Sequence, residues 1–105
     1  MLPRAREVAR HAHQLGVTVI AGIDGGYTPD DPHRIGDELV ELIGIGMSPM
    51  EAIHAATSTS AECLGISART GTIRAGLEAD LIVVASNPLD DINALRDVLL
   101  VVNDG

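Results

Sequence analysis

Apolar residues recur at helical spacing at the start of the chain, where Ala5, Val8, Ala9, Ala12 and Leu15 fall along one stripe. Pro3 opens this stretch and Gly16 closes it, as the two ends of a helix prefer. The period then changes. Residues 16–24 read Gly-Val-Thr-Val-Ile-Ala-Gly-Ile-Asp, a short apolar run bounded by turn formers, which predicts a buried strand of a parallel sheet. Helix, glycine and buried strand make half of a βαβ unit, and the strand that should precede the helix is absent.

Residues 27–33 are dense in turn formers and predict a loop. Ile35, Leu39, Leu42 and Ile43 give a second helix its stripe, ending at Gly44 or Gly46. A third helix is announced by Ser48 as cap, Pro49 at the first helical position and Glu51 placed to complete a capping box. Met50, Ile53, Ala56 and Thr57 are expected to line its packed side, with His54 structural. Residues 60–65 predict a further helical turn stopped by Gly65, with Cys63 as a small core residue. Beyond Gly65 the character becomes β. Residues 70–73 and 75–77 are turn-separated β fragments, residues 79–85 a buried strand, 90–95 one helical turn and 98–102 another apolar strand. Asn103-Asp104-Gly105 is a hairpin signal with no returning strand after it. With a strand missing at each end, the expectation is a fragment of a longer protein, or a chain whose open edges need a partner.

Composition narrows the picture. Of 105 residues, 46% are hydrophobic, yet Tyr27 is the one aromatic, so the core is filled by Ala, Val, Ile and Leu. That suits part of a larger α/β body better than a self-sufficient small domain. The net charge of −8 repels phosphate backbones and argues against nucleic acid. A lone cysteine excludes an internal disulfide framework, and no apolar run is long enough to span a bilayer. A cytoplasmic location with no membrane partner is the expectation.

Candidate chemistry centres on Asp24, which stands where the apolar run ends and two glycines begin. In parallel α/β folds the carboxyl ends of strands are where side chains leave the interior and meet ligand. A plain turn at Asp24-Gly25-Gly26 is the competing reading of those three residues. His33, in the following loop, either reaches the same site or flanks the next helix. His11 and His13 invite a metal reading, but two positions apart on a helix they point about 200° from each other and do not close on one ion.

The order of these words resembles the C-terminal end of the amidohydrolase superfamily, in particular imidazolonepropionase-like and prolidase-like members. The residues carrying the likeness are the run 16–24, His33 ahead of Glu38-Leu39, and Gly46-Met47-Ser48-Pro49-Met50-Glu51-Ala52-Ile53 with Ala55-Ala56-Thr57. Leu64-Gly65, Gly71-Thr72-Ile73, Ala75-Gly76, the run 79–84 and Asn87-Pro88-Leu89 with Asp91-Ile92 continue it almost to the end. The resemblance implies an α/β fold class: residues 1–66 as the C-terminal end of a (β/α)8 TIM-barrel domain and 67–105 as part of a flanking β-sandwich. It implies that Asp24 is both catalytic acid and metal ligand, that His33 contacts substrate, and that Asp80 is structural. The implied cofactor is a divalent metal, zinc, and the implied reaction is hydrolysis of an amide, cyclic amide or dipeptide-like C–N bond by metal-activated water. Two departures stand out. Ile23 replaces the Thr common before the acid, and the H-x-H of the first barrel strand has no counterpart here. A whole barrel needs about 250 residues, so the chain alone is expected to be inactive. Its expected partners are a small-molecule substrate and either the remainder of the barrel or further copies covering the open edges.

Two other readings compete. Residues 22–28 also look like the phosphate loop of actin-like ATPases and sugar kinases, although Pro29, Asp30, Asp31 and Pro32 occupy the place of its second strand. A non-catalytic assembly remnant is the second.

Overall fold

The computed structural model describes residues 2–22 and 35–105. Helix α1 spans Pro3–Gln14, α2 Ile35–Gly44, α3 Pro49–Ala56 and α4 Ser58–Cys63. Strand β1 (Leu81–Val84) follows, then a 3-10 helix at Ile92–Arg96 and strand β2 (Val98–Val102).

The helix ends follow the local chemistry. Pro3 occupies the start of α1, and Gly16 just beyond its end takes φ +85°, a conformation that glycine adopts without a Cβ penalty. Ser48 Oγ accepts from the Glu51 amide at 3.1 Å, with Pro49 as the first residue of α3. The Glu51 carboxylate meets His13 of α1, Nε2 to Oε2 at 3.3 Å.

The core lies where α2, α3, the 43–47 turn and the 3-10 helix converge. Leu39, Leu42, Ile45, Met47, Ala52, Ala55 and Ile92 are buried together. Ala52 and Ala55 are the fully buried residues of α3; of the expected side, Ile53 and Ala56 pack half-buried against the core, while Met50 and Thr57 are exposed. The two buried alanines let α3 approach α2 closely. Cys63 is also exposed, contrary to expectation, because Ala61 takes the buried position of the short α4 and a residue two further on points about 200° away. His54 lies on the exposed side of α3.

Helix α1 meets the core largely through polar side chains, with Ala9 packed beside them. Arg6 Nη2 meets Glu41 Oε2 at 2.7 Å, Arg10 Nη2 donates to the Gly44 carbonyl at 3.1 Å, and His13 reaches Glu51. These three residues lie within about 60° of arc on the helix. Val8 and Leu15, on the opposite side, are 65% and 69% exposed. Of the apolar stripe read from the sequence, Ala9 packs against the core and Ala12 is half-buried, while its larger members Val8 and Leu15 are not covered by any described residue.

The run expected as a buried strand makes no ladder within its described part, residues 16–22. A strand needs a neighbour at about 4.8 Å, and among the described residues none lies alongside. Val19 and Ala21 pack instead against the helical core, and the Ala21 amide donates to the Ala55 carbonyl at 3.1 Å.

The second half is a two-stranded antiparallel ribbon. Leu81 pairs with Val102, Ile82 with Val101 and Val83 with Leu100, then the register shifts so that Val84 pairs with Val98. The unpaired Leu99 is the extra residue of a bulge. Strand β1 is not buried as expected, with Ile82 and Val83 at 48% and 47% exposed, and Leu99 and Val101 of the apolar β2 are 63% and 66% exposed, since a lone ribbon leaves both faces open. The expected β fragments at 70–77 are turns and bends instead, with Gly71 and Gly76 at φ +97° and +91°. Asp80 has the structural part expected of it. Its carboxylate accepts from Thr70 Oγ1 at 3.0 Å and from the Asp104 amide at 2.8 Å, tying the turns to the end of the ribbon where β1 begins and β2 finishes. Asp104 and Gly105 both have positive φ, and the Gly105 amide donates to the Ala79 carbonyl at 3.1 Å beside the start of β1.

Candidate functional site

Asp24 and His33 both lie outside the described residues, as does the proposed phosphate loop beyond Gly22. What the structure describes is the frame on either side of them. On the incoming side, Val19 and Ala21 rest on the core and the Ala21 amide is held by the C-terminal turn of α3. One residue later, the Gly22 amide donates to Glu38 Oε1 at 3.3 Å. On the outgoing side α2 begins at Ile35, with Gly36 buried against the Arg96 side chain. Arg96 Nη1 closes on Asp37 Oδ1 at 2.7 Å, which joins the start of α2 to the 3-10 helix.

Glu38 stands in the first turn of α2, so Gly22 is tied by its amide to the helix end at which Ile35 begins. Local reading gave Glu38 no part in the site. An acidic residue in the first helical turn is ordinarily explained by the helix dipole, and nothing in the sequence spacing says that its carboxylate reaches back sixteen residues. Asp37, next to it, does serve a local end of that kind while also pairing with Arg96.

The other histidines stay apart from this frame. His13 is engaged with Glu51 and His11 is exposed on α1, so the helical H-x-H does not close on an ion. Among the described residues no group of three or more His, Cys, Asp or Glu side chains could hold a metal. Asp24, the metal ligand that the sequence resemblance assigns to this chain, is not among those described residues. No described helix is long and apolar enough to cross a membrane.

Comparison with known proteins supplies what the frame alone does not. A sequence profile described as the amidohydrolase family matches residues 2–105. Ochratoxinase from Aspergillus niger is 38% identical over 87 residues, which cover 82% of this chain and 18% of that enzyme. Among solved structures, a provisionally assigned prolidase from Bifidobacterium longum matches 94% of this chain at 41% identity, with a TM-score of 0.87. A Xaa-Pro dipeptidase with methionine bound in its active site matches 97% of it at 35% identity, also with a TM-score of 0.87. The chain spans 25% of the length of each of those two structures.

Proposed function

The chain belongs to the amidohydrolase family, and from that premise we propose that it is the C-terminal portion of a hydrolase acting on carbon–nitrogen bonds. The observation that carries this reading is the family match over residues 2–105, reinforced by prolidase and dipeptidase neighbours at 41% and 35% identity. Family membership also removes the phosphate-loop alternative, which rested on residues 22–28 alone. The outward apolar side of α1 and the open faces of the β ribbon support a place in a larger body. Val8, Leu15, Leu99 and Val101 are the kind of surface that an isolated protein seldom leaves uncovered.

The finer reading is hydrolysis by metal-activated water, with the divalent ion, zinc, held mainly by ligands that this chain does not supply. Asp24 is the carboxylate that accepts the proton of the attacking water and returns it to the leaving amine. A positioned carboxylate in that role contributes about 10²–10⁴-fold to rate. His33 contacts the substrate. Residues 1–66 close the TIM barrel, and 67–105 form part of the small β domain beside it. The substrate is a small molecule with an amide, cyclic amide or dipeptide-like bond, and the dipeptide-like class comes first because of the two solved neighbours. The enzyme works in the cytoplasm.

The test is a substrate panel on the complete enzyme: Xaa-Pro dipeptides, N-acyl amino acids and cyclic imides, with the released amine quantified by chromatography. Cleavage of the C–N bond in one of these classes is expected, with no turnover by the 105-residue chain alone. Failure to cleave any of them, in a folded and metal-supplemented protein, contradicts the proposal and favours the non-catalytic remnant.

A further inference from the structure

We infer that α1 is a strap laid over α2 and α3 and latched to them by charge, so that raised ionic strength frees it while the core beneath stays folded. The inference is independent of the reaction proposed above. No residue of α1 is fully buried, and among the described residues Ala9 is its one apolar contact with the core cluster. The polar contacts therefore carry most of the attachment. Arg6 and Arg10, one turn apart, grip the last turn of α2: the first pairs with Glu41 at 2.7 Å and the second donates to the Gly44 carbonyl at 3.1 Å. Gly44 is the final residue of α2, and that helix has no basic side chain in its own last turn. Arg10 thus supplies from another helix the cation that the negative end of α2 favours. His13 completes the strap by reaching Glu51 of α3 at 3.3 Å.

Such a latch opens easily. The side chains of Arg6 and Glu41 are 41% and 28% exposed, and those of His13 and Glu51 27% and 57%. Pairs this open to water are individually weak and are screened by salt. Arg6 Nε is buried without a hydrogen-bond partner, which costs free energy for as long as α1 is docked. Gly16 provides the hinge, with φ +85° and nothing described within 4 Å of where its Cβ would stand. Beyond it, Val19 packs on the core and the Ala21 amide is held by the Ala55 carbonyl at 3.1 Å, so residues 17–22 keep their place when the helix before them lifts. The fully buried core cluster contains no residue of α1 and is not opened by its departure.

The test is native-state hydrogen exchange of the 105-residue chain, read by NMR at about 0.1 M and about 1 M NaCl, between which the screening length falls from about 10 Å to about 3 Å. The amides of residues 8–14 in α1 are expected to lose protection about 3–10-fold at the higher salt. Those of residues 52–56 in α3 should keep or gain it, since screening also relieves the self-repulsion of a chain with net charge −8. Arg6→Met combined with Arg10→Met keeps both apolar stems and nearly the same helix propensity while removing the charges. In that variant the α1 amides should change less than about twofold between the two salts. Where the double variant does not fold, Arg10→Met alone is expected to show a smaller response than wild type. Protection of α1 that ignores salt, or that falls in step with α3, overturns the inference. So does a salt response undiminished in the variants, or an α1 already unprotected at about 0.1 M NaCl.

Discussion

Gly71 offers a sharp test of the packing between the helical half and the turns that follow. A Cβ added there stands 2.6 Å from the Ala61 Cβ and 3.1 Å from the Thr57 carbonyl oxygen. Neither neighbour can step aside by changing rotamer, since one is an alanine methyl and the other is backbone. Ala61 is buried at 4% exposure, so opening the gap means moving α4 itself. Gly71 also has φ +97°, which an L-residue enters at a penalty of about 1–2 kcal/mol. Overpacking adds about 1–3 kcal/mol, so Gly71→Ala should destabilise by about 2–5 kcal/mol. Gly76→Ala is the control: φ is +91°, but none of the described residues lies within 4 Å of its added methyl, so the backbone penalty remains without the collision. Both substitutions stiffen the unfolded chain alike, and the difference between them isolates the collision. Urea titration of the two variants in the same background is expected to place the Gly71→Ala midpoint clearly below that of Gly76→Ala. Equal midpoints would refute the close approach of residue 71 to α4.

Two further outcomes follow from particular contacts. Ser48→Ala removes the acceptor for the Glu51 amide and should destabilise α3 by about 1 kcal/mol, read as a lowered urea midpoint. Val8→Ser, at a residue 65% exposed here, should change the stability of the isolated chain by less than about 0.5 kcal/mol. In the complete enzyme the same substitution should destabilise by about 1.5–3 kcal/mol, because the outward side of α1 is then covered; equal small effects in both settings would show that this side stays open.

What could be read from the sequence was what neighbours along the chain decide. Pro3 and Gly16 bracket α1, and Ser48 and Pro49 start α3, all from chemistry within a few residues. What could not be read depended on distant partners. The β-branched run before Asp24 has the composition of a strand, but pairing needs a second strand that the described residues do not provide. The spacing of Val8 and Leu15 shows an apolar stripe without saying that Arg6, Arg10 and His13 on the other side make the contacts. Cys63 and Met50 are apolar enough for a core, yet Ala61 and Ala52 occupy it because close helix approach selects small side chains. The tie from Glu38 to Gly22 was invisible because its two ends lie sixteen residues apart. Asp24 and His33 lie outside the described residues, so their part rests on the family and on the frame around them.

The most direct test of the central claim is the turnover of Asp24→Asn in the complete enzyme, on the substrate that the wild type cleaves best, with circular dichroism as the check on folding. A loss of about 10²–10⁴-fold in kcat at unchanged fold is predicted, since the amide cannot take up the proton of the attacking water. Near-normal turnover by that variant contradicts the account.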